Sequence, residues 1–361
     1  MLVLSTFFGV LCATVVHGRE NERAAEDKDN GLSIPDAYKS GMHVILLGVG
    51  ARFHVQDEGG SSVLVVVDGE PFLFDVGPLA VQRMAEVGIN PAQVHHLFVT
   101  HLHMDHISAF PEFMSLNHLF KGRIRVFGPR GVSDMVAAAK AFLKFDLGYL
   151  EPHLGPPAVH TSEIVEQRTV LDEAGVTVTA TPTPHTDKEG ESFAYRLESA
   201  HGSVVITGDT VPSLNVVALA DGADILIHEV DLDPKAPIDE ALIRDYSQEI
   251  KDRLRRGPVK LSDGVRGAPS GWNGHSTASE VGKVAEAAGV GTLVLYHRPV
   301  FAATPAHLRK ATRVWRLPED RVSYASKAEL ISSVATHFDG PVVFGEPLMV
   351  FELGAGKPHS Q

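Results

Sequence analysis

From residue 41 onward the chain is punctuated by short, continuous apolar runs, and many of them stop on a histidine or a carboxylate. Residues 43–48 (HVILLG), 62–68 (SVLVVVD) and 71–75 (PFLFD) are rich in Val, Leu and Phe, a content that favours strands over helices. Helical periods lie between such runs. Residues 78–87 form one, stopped by Gly88, and residues 131–147 form another with Met135, Val136, Ala139 and Phe142 at helical spacing. Residues 239–256 repeat the period with Leu242, Tyr246, Ile250 and Leu254. Thr277 with Glu280 reads as a capping box opening a helix to Ala288, and Thr304-Pro305 opens a further one. This alternation predicts an α/β domain. There is no low-complexity tract and no short-period repeat.

The counts narrow the chemistry. With 45 acidic against 32 basic side chains, a formal charge of -13, the 361-residue chain lacks the positive field that nucleic-acid backbone or an anionic membrane surface requires. A single cysteine, Cys12, excludes a disulfide framework and any thiolate-built metal site. A metal must then be held by nitrogen and oxygen, and 19 histidines are at hand. The length allows one large domain or two ordinary ones.

Residues 1–18 contain no Asp, Glu, Lys or Arg and are almost wholly apolar up to Val16. The run is short of the roughly 20 residues a membrane span needs and reads as a secretory signal, with a cut expected before Arg19. Its start lacks the usual Lys or Arg, which leaves an uncleaved anchor or a buried N-terminal helix as alternatives. Residues 19–40 are expected to be a polar linker, and 41–355 the folded domain.

The chemistry begins where the apolar run Leu97-Phe98-Val99-Thr100 enters His101-Leu102-His103-Met104-Asp105-His106. In an extended segment residues i and i+2 point the same way, so His101 and His103 can face one point. Asp105 and His106 follow where the chain turns into a helix, aimed at a neighbouring point. Four potential ligands within six residues suit two metals better than a solvated loop, which is how His95 and His96 just upstream are read.

Ligand-type residues also follow other apolar runs. Residues 176–180 lead through Thr181-Pro182-Thr183-Pro184 to His185; 204–206 lead through Gly208 to Asp209; 225–227 lead to His228-Glu229; 293–295 lead toward His297. Sites in α/β sheets collect at strand ends in this way.

With THLHMDHI, the Phe74-Asp75-Val76-Gly77 turn and the Leu46-Leu47-Gly48 segment, the sequence from Met42 to Leu353 resembles the metallo-β-lactamase-fold hydrolases. Their order resembles the ribonuclease Z and arylsulfatase branch. The resemblance implies a four-layer αββα sandwich of two mixed β-sheets flanked by helices. It implies one metal on His101, His103 and His185, a second on Asp105, His106 and His297, and Asp209 bridging. Leu226-Ile227-His228-Glu229 and Gly274-His275-Ser276-Thr277 resemble that branch's HE and HST motifs, in which a Glu and a His pair for proton transfer to the leaving group. The catalytic set is therefore Asp105, Glu229 and His275, with Asp105 also a ligand.

Two departures separate the chain from ribonuclease Z itself. Only 23 residues, 186–208, lie between His185 and Asp209, enough for a hairpin but not for an RNA-gripping arm. Arg298-Pro299 replaces the Ser and Arg that follow the last ligand in that family, which removes a phosphate contact. The block 122–129 (GRIRVFGP) resembles the arylsulfatase-like exported esterases instead.

The expected activity is an exported hydrolase that cleaves phosphodiester or aryl sulfate esters by a metal-bridging hydroxide. The cofactor is two divalent ions, zinc ahead of manganese or iron. A lactonase or thioesterase of the same fold, and a metal-binding scaffold without catalysis, are the other readings. The expected partner is a small anionic ester, with no nucleic acid, membrane contact only through an uncleaved leader, and a homodimer left open; the expected location is the periplasm or the exterior. Residues 231–273, with Arg253, Arg255, Arg256 and Lys260, read either as a flap over the site or as a solvated helix and loop.

Overall fold

Two seven-stranded sheets organise the computed structural model, which describes residues 32–51, 58–146, 155–185, 191–231, 274–298 and 326–354. The leader, the helices expected at 239–256 and from Thr304, and the flap beyond Asp231 lie outside the described residues. Among the described residues no helix is long and apolar enough to cross a membrane.

The first sheet contains β1 (Met42–Gly48), β2 (Ser62–Val67), β3 (Glu70–Phe74), β4 (His96–Phe98), β5 (Arg123–Gly128) and β6 (Ala158–Glu163), with β14 (Val350–Leu353) beside β1. The second runs β13 (Val342–Phe344), β12 (Thr292–Tyr296), β11 (Ile225–Glu229), β10 (Gly202–Ile206), β9 (Phe193–Ser199), β8 (Val176–Pro182), β7 (Arg168–Glu173). Each is mixed: β3 to β6 are parallel, as are β10 to β13, and the other neighbours are antiparallel.

Both faces of each sheet are covered, which explains why the strands read as unbroken apolar runs. Along β1, Val44 and Leu46 point between the sheets while Ile45 and Leu47 point outward. The outward face of the first sheet packs against α1 (Ala80–Glu86), α3 (Phe110–Leu119) and α4 (Val132–Asp146); the short α2 (Met104–Ile107) precedes α3. The second sheet packs against α5 (Leu214–Leu219), α6 (Ala278–Ala288) and α7 (Lys327–Val334). The result is the expected four-layer sandwich. Between the sheets Phe74 stacks on Phe98 at 4.9 Å, and Tyr195 lies 5.6 Å from Phe98 and donates its hydroxyl to Val99 O at 2.7 Å. Each such fully buried side chain stabilises the fold by about 1.5–3 kcal/mol.

Three local expectations need correction. His96 is a buried β4 residue, not a loop residue: it pairs with Phe72 across β3 and its ring stacks on Phe72 at 5.4 Å. In α4 the buried face is Val132, Val136, Ala139 and Leu143, and Phe142 is exposed, because the 3.6-residue period places Leu143 rather than Phe142 above Ala139. Ile34 and Tyr38, assigned to the polar linker, pack on the core of the unit that begins at Ile34.

Candidate metal centre

The ends of five strands, β4, β8, β10, β11 and β12, and the loops that follow them deliver the site. β4 runs through Thr100 into His101 and His103, and α2 begins at once, carrying Asp105 and His106. β8 leads to His185, β10 to Asp209, β11 ends on Glu229, and β12 is followed by His297. Gly208 makes the approach of Asp209 possible. Its φ is +61°, and a Cβ there would sit 2.6 Å from Thr100 Cβ, so only glycine lets the two sheets come this close.

The nine residues singled out by sequence all converge. His101 Nε2 lies 2.9 Å from His103 Nδ1, which lies 3.2 Å from His185 Nε2, and Asp209 Oδ2 is 3.6 Å from both His101 and His185. In a second nest His297 Nε2 is 3.1 Å from Asp105 Oδ2, and His106 Nε2 is 3.8 Å from that same oxygen. Asp209 Oδ1 is 3.3 Å from His106 Nε2 and 3.3 Å from His297 Nε2. One carboxylate thus turns one oxygen to each nest.

Hydrogen bonds behind the rings fix their tautomers. His106 Nδ1 donates to Asp75 Oδ2 at 2.8 Å, His185 Nδ1 donates to Gly274 O at 2.8 Å, and His101 Nδ1 faces Thr100 Oγ1 at 3.1 Å. Thr100 in turn donates its hydroxyl and its amide to Asp75, both at 2.7 Å. The Nε2 lone pairs are left pointing inward. Buried His106 Nε2 and Asp209 Oδ1 face each other across the nest at 3.3 Å without a hydrogen bond.

Such an arrangement calls for positive charge at its centre. Burial works against a charged His106, but Asp209 and Asp75 outweigh it and hold the ring well above the usual histidine range. Burial and the neighbouring imidazoles hold His101 well below it, and burial pushes His185 down to about 4. The all-nitrogen-and-oxygen donors, at separations close to the roughly 3.3–3.6 Å edges of a tetrahedron with ~2.0–2.2 Å bonds, fit divalent metal. Among the described residues, two clusters with no residue in common can each hold an ion, His101, His103, His185 and Asp209, and Asp105, His106 and His297; a third grouping, Asp209, His275 and His297, overlaps both.

Beside them, His275 Nδ1 donates to Glu229 Oε2 at 3.1 Å and is 4.0 Å from Asp209 Oδ2. Burial opposes its charge, but Glu229 outweighs burial and raises His275 to about 10. His228, the other residue of the HE motif, is buried within β11, where burial lowers it to about 4, and it joins neither cluster.

Asp75 is the functional residue the sequence reading passed over, although the signal was present: Phe72-Leu73-Phe74 ending on Asp75 is the same apolar run closed by a carboxylate that marks Asp209. Asp75 adopts φ 56°, a left-handed conformation uncommon for residues bearing a side chain.

Comparison with known proteins gives consistent relatives. The family profile described as "Anti-Pycsar protein Apyc1" matches residues 42–255. A ribonuclease Z of Mycobacterium sp. (strain KMS) is 33% identical over 264 residues, covering 71% of this chain and 84% of that protein. The metallo-β-lactamase fold protein YhfI from Bacillus subtilis has a TM-score of 0.59 at 17% identity, covering 87% of this chain and 100% of its own. Human tRNase Z, short form (ELAC1), has a TM-score of 0.54 at 21% identity, with 86% and 99% covered.

Proposed function

The chain belongs to the metallo-β-lactamase-fold superfamily, in the Apyc1 family and alongside ribonuclease Z, and from that premise we propose that this metal-binding hydrolase cleaves phosphodiester or aryl sulfate esters. The observation that carries the reading is Asp209, whose two oxygens face two separate donor nests 3.3–3.6 Å away. His101, His103 and His185 would hold one ion, Asp105, His106 and His297 the other, and Asp209 would be shared. Bound there, two divalent ions, zinc in our reading, supply an acidified water and Lewis-acid charge for the ester's oxygens. Their local charge outweighs the distant -13 of the whole chain.

The chain's own residues handle the leaving group. Glu229 fixes His275 through Nδ1, which leaves Nε2 as the atom that gives its proton to the departing alkoxide or phenoxide. That pair supports phosphorus or sulfur esters over lactones and thioesters. The relatives' name raises transfer-RNA processing as a second reading. Against it stand the acidic charge and the compact β9–β10 hairpin between His185 and Asp209.

Side-by-side assay of bis-p-nitrophenyl phosphate, p-nitrophenyl sulfate, an acyl-homoserine lactone and a precursor transfer RNA, with metal analysis on the same sample, tests the proposal. Turnover of either of the first two is expected; turnover of the lactone or the RNA alone overturns it. Asp209→Ala is expected to lose one metal equivalent and most activity, and retention of both would remove the bridging role. Export is part of the same proposal, and recovery of the mature chain in the periplasm or medium without residues 1–18 checks it.

A further inference from the structure

His297 follows β12 with φ 40°, a left-handed conformation that a residue with a side chain keeps only where its surroundings enforce it. The next residue does the enforcing. Arg298 is buried, its amide donates to Val49 O at 3.2 Å, and its guanidinium donates to Glu58 Oε1 at 2.9 Å and to the Gly345 carbonyl. The same guanidinium lies 4.1 Å from the centre of the Phe344 ring. A planar fork engaged on two edges and one face is fixed in orientation, so Arg298 is committed to structure.

Glu58 joins this anchor to the other side of the second nest. Its carbonyl accepts from Val49 N at 3.1 Å and from buried Arg83 at 2.7 Å. Two residues on, Gly60 lies so close to Asp105 that a Cβ would be 2.2 Å from the Asp105 carbonyl oxygen. Residues 58–60 therefore touch the Arg298 side chain at one end and the Asp105 backbone at the other. His297 and Asp105, 192 positions apart in sequence, meet at 3.1 Å.

We propose that the buried Arg298–Glu58 ion pair is a positioning device for the second metal nest, setting His297 and Asp105 against each other. The inference rests on the two-metal reading above.

The apo-protein is titrated with zinc against a chromophoric chelator, and cobalt(II) spectra are recorded for each equivalent. Asp105→Asn identifies which equivalent belongs to the second nest. Arg298→Met and Glu58→Gln are expected to weaken that equivalent about tenfold or more, the range typical of changes behind a ligand. They should shift only its cobalt bands and leave the other equivalent unchanged. Arg298→Lys, which keeps the charge but not the fork, is expected to fall between. Glu58→Gln preserves size, and thermal melting of each apo form checks that the fold survives. If both equivalents weaken together, or neither does, the positioning role is wrong. If the wild-type protein takes up fewer than two equivalents, the two-metal reading fails and this inference goes with it.

Discussion

Glu229 shows how much one side chain can organise. It is fully buried, and its Oε1 accepts from Thr210 N at 3.0 Å and Ser276 N at 3.1 Å while Oε2 accepts from His275. The carboxylate therefore ties the backbone next to Asp209 to the loop that carries His275. Burial raises Glu229, and the nearby His275 charge opposes that rise. His275→Asn should leave the metal content intact and lower kcat by about 10²–10⁴ for esters with alkyl leaving groups, the usual scale of general acid catalysis. For p-nitrophenyl esters, whose leaving group needs no proton, the loss should be small. A plot of log kcat against leaving-group pKa checks this: the variant's slope steepens if His275 is the acid and stays parallel if it is not. The contrast with Asp75 is instructive at the same level. Glu229 and His275 sit in motifs with a known resemblance, whereas the hydrogen bond from His106 to Asp75 joins residues 31 apart and has no signature beyond a carboxylate at a strand end.

Elements explain where sequence reading holds and where it slips. The capping box at α6 was legible because it is local: Glu280 Oε2 accepts from Thr277 N at 2.9 Å and Thr277 Oγ1 at 3.0 Å. Glu280→Ala is expected to cost about 1 kcal/mol, seen as a lower melting temperature, and to weaken activity further because α6 starts right after His275 and Ser276. β4 is the opposite case. Nothing near His96 in sequence announces burial; Phe72 of β3 and Arg125 of β5, whose Nη2 is 2.6 Å from His96 Nε2, enclose it. Burial first, then Arg125, lower His96 to about 4, below its unfolded value of about 6.5. The unfolded chain therefore takes up the proton first. The stability this group contributes is full above about pH 6.5 and is lost as pH falls toward 4, by about 3 kcal/mol at most. In the apo-protein, His96→Gln should flatten the dependence of unfolding free energy on pH across that window, measured by urea denaturation; an unchanged slope would contradict the buried neutral ring.

The molecule as a whole carries -13, and under the proposed function its centre would draw anions through bound metals. These two fields differ in range. Raising ionic strength from about 0.01 to 0.15 M shortens the Debye length from ~30 to ~8 Å, which screens the distant acidic groups more than the adjacent ions. With an anionic diester, kcat/KM is thus expected to rise modestly, by about twofold. A fall that steepens with salt would instead mark the counterion release of a polynucleotide binder.

The sequence by itself determined the cluster from His101 to His106, the buried strands and the α6 cap, because each is written within a few neighbouring residues or in the period of apolar runs; the complete donor set and the pairing of Glu229 with His275, 46 positions apart, were legible only through the family resemblance of their motifs. Tertiary structure alone decided that Asp75 stands behind His106, that His96 is core, and that Arg298 reaches Glu58. Those contacts depend on sheet register and on the approach of one sheet to the other, and they bring residues up to 240 positions apart to within hydrogen-bond distance.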